Sequence, residues 1–225
     1  MNTPVASPAA IPDGVRTLLL DLDGTLLDLA FDNRFWLETV PRRYARERGV
    51  TLEAARAEIA PRFEALRGTL AWYSLDHWSG LLGLDLRALT REEIRGNQWV
   101  PGALEFLAQQ RARGRRLVLA TNAALVTLAI KDAALGLGAR FDALYSSEQF
   151  GAPKEEPRFW EGLFAAEDCD PARTAFIDDN PAVLAAARAA GLTHLVAVTR
   201  PDSTRPPHPM PGYVAVATVA ELVER

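Results

Sequence analysis

Apolar residues in this chain follow two rhythms, and the rhythm changes along the sequence. Residues 18–20, 117–120, 174–177 and 194–198 form short, largely apolar runs, which read as strands buried on both faces. Weaker strand candidates lie at 143–145 and 213–216. Between these runs, apolar positions recur at helical spacing over 102–113, 126–135 and 158–166, with Gly114 stopping the first. Asn180, Pro181 and Gly191 supply the cap, first residue and stop of one more helix. Strands that alternate with helices predict an α/β domain on a parallel sheet with right-handed crossovers.

Between 32 and 96 the strand rhythm disappears. Phe35, Trp36, Val40 and Tyr44 recur at helical spacing, and Thr51 can cap a second helix through Ala55, Ile59 and Phe63. A third helical stretch, 72–82, ends at Gly83, and Thr90 with Glu93 has the form of a capping box. Pro41 and Pro61 are expected to kink or shorten these helices. The chain therefore divides into a core of 1–29 and 98–225 and a helical insert of 30–97.

Composition narrows the class without choosing within it. An apolar content of 48% and a charged content of 24% are those of a soluble globular protein. A net charge of −4, with no basic stripe, argues against a nucleic-acid partner. No apolar run is long enough to span a membrane. Residues 1–14 lack the basic start and apolar stretch of a signal peptide and read as a frayed tail, so a cytoplasmic location is expected. Cys169 stands alone, which excludes a disulfide framework and a cysteine zinc site. Lys131 and Lys154 are the only lysines in a chain that otherwise uses arginine, so each carries information.

The candidate chemistry lies where the apolar runs end. Asp21 and Asp23 follow the first run one residue apart, and residues two apart on a strand share a face. Carboxylates this close repel unless a cation lies between them, and a hard cation such as Mg²⁺ suits oxygen ligands. Gly24 lets the chain turn where a small ligand must approach the backbone. Thr121 and Asn122 follow the run at 117–120 and precede a helix, Lys154 lies in the loop after the weaker candidate at 143–145, and Asp178 and Asp179 follow the run at 174–177. Taken singly, Thr121 reads as a helix cap, Lys154 as a solvated loop residue and Asp178-Asp179-Asn180 as a helix start. In a parallel α/β sheet, however, ligands bind beyond the carboxyl ends of the strands, where all of these converge. A nucleophile, an acid/base, metal-holding acids and an anion anchor together point to phosphoryl transfer.

The ordered set Asp21-Leu22-Asp23-Gly24-Thr25, Thr121-Asn122, Lys154 and Asp178-Asp179 resembles the four motifs of the haloacid dehalogenase (HAD) superfamily. That resemblance implies a Rossmannoid three-layer α/β/α core with a parallel sheet, and a small all-helical C1 cap formed by the insert. It also implies Mg²⁺-dependent hydrolysis of a phosphomonoester through an aspartyl-phosphate. Asp21 would be nucleophile and metal ligand, and Asp23 acid/base and, through its carbonyl, metal ligand. Asp179 would be a direct metal ligand with Asp178 behind it, and Thr121, Asn122 and Lys154 would bind phosphate. Within the superfamily, residues 27–33, Phe35-Trp36, Val40-Pro41, Thr69-Leu70, Trp72-Tyr73, Trp78-Ser79, 82–85 and Pro201-Asp202-Ser203 resemble the bacterial GMP/IMP nucleotidases. A nucleoside monophosphate is the substrate this implies, and Trp36, Trp72, Tyr73 and Trp78 are the candidates to stack its base. Aromatic residues at helical spacing more often form core. The alternatives are a phosphatase for phosphoglycolate or a sugar phosphate, and a non-enzymatic phospho-receiver module. The second has no use for the helical insert or for Asp23-Gly24-Thr25.

Overall fold

A computed structural model describes residues 11–223. The reading of 1–10 as part of a frayed tail lies outside these residues. Residues 11–14 do not fray: Ile11 is buried, and Arg115 Nη2 donates to the carbonyls of Ile11 and Pro12 at 3.2 and 3.0 Å.

Among the described residues, six strands form one sheet: β1 (Thr17–Leu20), β2 (Arg116–Thr121), β3 (Ala143–Ser146), β4 (Thr174–Asp178), β5 (His194–Val198) and β6 (Val214–Val216). Their spatial order is β3-β2-β1-β4-β5-β6, and every neighbouring pair is parallel. Leu20 lies opposite both Leu119 of β2 and Ile177 of β4, so β1 occupies the middle and its end meets theirs.

Both faces of the sheet are covered, which explains the unbroken apolar runs. Side chains alternate across a strand, and the packing follows that alternation. Leu18, Leu20, Leu117, Leu119 and Ile177 share one cluster with Phe106 and Leu128. Leu19, Val118, Ala120 and Phe176 share another with Phe159, Trp160 and Leu184.

The helices are α1 (Ala30–Arg34), α2 (Val40–Arg48), α3 (Leu52–Leu66), α4 (Leu70–Tyr73), α5 (Leu75–Leu82), α6 (Leu86–Glu93), α7 (Ala103–Ala112), α8 (Leu125–Leu135), α9 (Ser147–Phe150), α10 (Pro157–Glu167) and α11 (Pro181–Ala189). Helices α7 and α8 cover the first face, and α10 and α11 the second. Helices α1–α6 pack around a third cluster built on Phe31, Phe35, Phe63, Trp78 and Leu82, joined by Ile130 of α8. The chain enters and leaves this segment at adjacent points. Asp28 N–H donates to the Gln98 carbonyl at 3.0 Å and Val100 N–H to that of Leu26 at 2.9 Å.

Local expectations in the helical segment need correction. The stretch expected as one helix over 72–82 is two, because Ser74 is extended and caps α5 through its side chain. Thr90 is not a cap but an interior residue of α6, its hydroxyl donating to the Leu86 carbonyl at 2.7 Å, while Asp85 caps that helix. Of the two prolines expected to kink or shorten helices, Pro41 falls in the first turn of α2, and Pro61 does not shorten α3. Residues Phe35–Thr39 form a π-helical turn immediately before α2, and a proline in the first turn of a helix costs no interior hydrogen bond. Pro61 is carried inside α3. The expected terminal helix is one 3₁₀ turn, Val219–Leu222.

Candidate active site

The carboxyl ends of β1, β2 and β4 bring the expected residues together. Lys154, in the turn before α10, ion-pairs with Asp21 and lies 2.7 Å from Asp178 Oδ2. Two neighbours fix the lysine's backbone. Its N–H donates to Asn122 Oδ1 at 2.8 Å, and its carbonyl accepts from Trp160 Nε1 at 2.7 Å. The other end of the Asn122 amide donates to Glu155 Oε2 at 3.0 Å. Asn122 therefore spends its amide on shaping the lysine turn. Thr121 Oγ1 accepts from Ala123 N–H at 3.0 Å, which leaves its own O–H to donate elsewhere.

Asp21 is buried, and only one of its oxygens is used. Oδ1 takes the lysine, while Oδ2 has no hydrogen-bond partner among the described residues although it is shielded from solvent. A lone acceptor in such a place costs free energy unless something occupies it. Burial, partly offset by Lys154, pushes the Asp21 carboxyl up to about 7. Burial also raises Asp178 and, with added repulsion from Asp178 and Asp21, raises Asp179 well above the carboxylate range. One carboxylate oxygen from each of Asp21, Asp178 and Asp179 lies within 4.8 Å of the others. Gly24, at φ +97°, lets the Asp179 carboxylate rest against the backbone: a Cβ there would meet it at 2.7 Å. Hard oxygen donors, an unpartnered acceptor and mutual repulsion fit a divalent cation such as Mg²⁺.

A cavity of about 550 Å³ runs from these acids to the helical segment. Trp36, Phe63, Trp72 and Trp78 form an aromatic wall, and Arg67 and Arg205 also line it. The aromatic candidates divide. Trp78 is 1% exposed, its Nε1–H donates to the Trp72 carbonyl at 2.8 Å, and it packs edge-on against Phe63 with centroids 4.7 Å apart. It is primarily core. Trp36 and Trp72 are partly buried, and the Arg67 guanidinium lies 5.5 Å from the Trp72 ring. Tyr73 instead reaches across, its hydroxyl donating to Glu155 Oε1 at 3.0 Å.

One residue of the site was not anticipated. Lys131 of α8 places its ammonium 2.5 Å from Asp23 Oδ1. Its rarity was visible in the sequence, but its place within an ordinary helix offered no sign of where it would point.

A parallel sheet that ends in paired aspartates and a lysine, beside a helical insert, defines a class of hydrolase. The family model for haloacid dehalogenase-like hydrolases matches residues 15–191, and the chain belongs to that family. Among known proteins it is similar to the GMP/IMP nucleotidase YrfG of Escherichia coli (strain K12), with 42% identity over 189 residues, 84% of this chain and 85% of that protein. A phosphoserine phosphatase of Thermus thermophilus is 29% identical over 203 residues, covering 74% of this chain and 82% of that one. In fold, the chain is similar to a HAD phosphatase from Thermococcus onnurineus, with a TM-score of 0.78 at 22% identity, covering 92% of this chain and 96% of that one. Among the described residues, no helix is long and apolar enough to cross a membrane.

Proposed function

We propose that the protein is a Mg²⁺-dependent 5′-nucleotidase that hydrolyses 6-oxopurine monophosphates, GMP and IMP, through an aspartyl-phosphate. The observation that carries the chemistry is the buried Asp21 carboxylate, held through one oxygen by Lys154 with the other unpartnered beside Asp178 and Asp179. The nucleotide preference rests on the similarity to the E. coli nucleotidase and on a cavity that adjoins the acids and has an aromatic wall.

Mg²⁺ would be held by Asp21, Asp179 and the backbone carbonyl of Asp23, with Asp178 behind them. It supplies positive charge that lets an anionic nucleophile approach an anionic phosphoryl group. An Asp21 carboxylate oxygen attacks phosphorus, and the bond from phosphorus to the nucleoside 5′-oxygen breaks. Asp23 gives its proton to that departing oxygen, then takes a proton from the water that attacks the phosphoenzyme. Cleavage of the bond between Asp21 and phosphorus releases phosphate and restores both aspartates. Thr121 donates its hydroxyl to a phosphoryl oxygen. The Lys154 charge steadies the phosphoryl group, and its ion pair fixes the attack angle of Asp21. Residues 30–97 act as the cap, which closes the cavity and excludes bulk water.

The test is a phosphate-release screen over nucleoside monophosphates, sugar phosphates, phosphoserine and phosphoglycolate, with and without chelator. GMP and IMP should be hydrolysed at least tenfold faster than AMP in kcat/KM, a difference of about 1.4 kcal/mol, and chelation should abolish turnover. Equal rates on AMP and GMP would overturn the substrate assignment.

A further inference from the structure

The mechanism above uses one of the chain's two lysines and leaves the other without a task. Lys131 lies on α8 and is 1% exposed. Its ammonium is 2.5 Å from Asp23 Oδ1 and 3.1 and 3.2 Å from the two oxygens of Asp32. Burying an ammonium costs several kcal/mol unless it is paired and hydrogen-bonded, and an apolar side chain fills such a space at less cost. Packing therefore gives no reason for a lysine here. Its partners do. Asp23 is the residue that must present a carboxyl to the leaving group, and Asp32 belongs to α1, the first helix of the helical segment.

Geometry sets what Lys131 can do. Among the described residues it is the sole hydrogen-bond donor to the Asp23 carboxylate. Asp23 is partly exposed at the cavity, so without that contact its side chain is free to turn. The contact uses Oδ1 and leaves Oδ2 for the substrate.

We propose that Lys131 is the positioning residue for Asp23, fixing the carboxyl that transfers a proton to the leaving oxygen, with Asp32 as its second carboxylate partner. When Asp23 carries its proton, Asp32 keeps the ammonium paired, so the lysine need not move. Lys131 touches no reacting atom. The proposal rests on the phosphatase reading but is independent of which phosphomonoester is the substrate.

Leaving-group dependence separates this role from a merely structural one. p-Nitrophenyl phosphate departs as a stabilised phenolate that needs little help from an acid. Benzyl phosphate, of similar size, departs as a basic alkoxide and depends on the proton from Asp23. In Lys131→Met, kcat/KM for benzyl phosphate should fall about 100-fold, the low end of what a general acid contributes, while that for p-nitrophenyl phosphate changes less than about threefold. Lys131→Arg should restore part of the loss. Equal losses on the two substrates would overturn the proposal. If Lys131→Met does not fold, Asp32→Asn takes away the partner that holds the lysine in place while Asp23 is protonated, and should show the same bias at smaller size; no bias there is an equally negative result. Asp23→Asn is the control. A bias in Asp23→Asn without one in Lys131→Met defeats the role of Lys131 alone, whereas no bias in Asp23→Asn defeats the acid role of Asp23 and this proposal with it. Failure on GMP with benzyl phosphate still cleaved defeats only the nucleotide assignment.

Discussion

The two lysines make a natural experiment within one chain. Each is buried, and each holds two carboxylates: Lys154 takes Asp21 and Asp178, and Lys131 takes Asp23 and Asp32. Their charge arrangement is the same, but their mechanical surroundings differ. Both carboxylates of Lys154 come from the ends of neighbouring strands, β1 and β4, whose register locks Leu20 against Ile177. Lys131 joins a core helix, the turn after β1 and α1 of the helical segment. An ammonium between two carboxylates is thus used once as a rigid brace and once as a tie between parts that are held together by fewer bonds. The partners, more than the charges, decide which.

Removing the brace should have the larger effect. Lys154→Met leaves Asp21 and Asp178 buried without their cation and removes the group that orients the nucleophile. We expect kcat to fall by about 10²–10³-fold, the size of losing one preorganised donor. Urea unfolding should show a loss of about 3–5 kcal/mol, typical of breaking a buried pair from one side. Mg²⁺ should recover more stability in this variant than in the unaltered protein, because a second cation can partly replace the first. A variant with near-normal kcat would erase the distinction between the two lysines.

The same contrast explains what could be read before the structure. The sheet was readable because buried parallel strands leave unbroken apolar runs, and the ends of such strands are where ligands bind. Asp21, Thr121 and Asp178 therefore announced themselves by position, each at the end of a run, and Lys154 by its rarity and its loop after the weaker third strand. Lys131 is the seventh residue of a helix that begins at Leu125, and period alone cannot say that its tip reaches the turn after β1. The helical segment was harder for related reasons. Ser74 splits a stretch of continuous helical pattern, since a side-chain cap competes with the backbone ladder. Pro41 was expected to kink or shorten a helix, and it falls in the first turn of α2, where a proline is tolerated, directly after a π-helical stretch. Trp78 had the composition of a base-stacking residue, yet it meets Phe63 and the Trp72 carbonyl first.

A smaller test concerns how the helical segment reaches the brace. Tyr73 of α4 donates to Glu155, the residue next to Lys154. Burial and the nearby Glu155 charge hold the phenol well above its usual range, so it remains a donor. Tyr73→Phe removes one hydrogen bond of about 1 kcal/mol. If the contact helps hold the segment over bound substrate, KM should rise about fivefold with kcat little changed. An unchanged KM would place this contact outside substrate binding.

The smallest effect concerns a second tie between α1 and the core. Asn33 Nδ2 donates to Asp202 Oδ2 at 2.7 Å, and Thr204 donates to Oδ1 through both its N–H and its hydroxyl. Burial works to raise the Asp202 carboxyl, but these hydrogen bonds and Arg205 hold it below the usual carboxylate range. The folded state therefore prefers the ionised form. Its contribution to stability is complete above the ordinary aspartate value of about 4 and disappears as pH falls through the lower folded value. Asp202→Asn should lower Tm at pH 7 by about 2–4 °C, corresponding to about 1 kcal/mol in a chain of this size. The gap from the unaltered protein should close below about pH 4, because acid then neutralises Asp202 in the unaltered protein and leaves neither with that charge. If the gap persisted or widened in acid, the charge on Asp202 would not be what fastens this loop to α1. Lys131 and Asp32 would then be left as the ionic tie between that helix and the core.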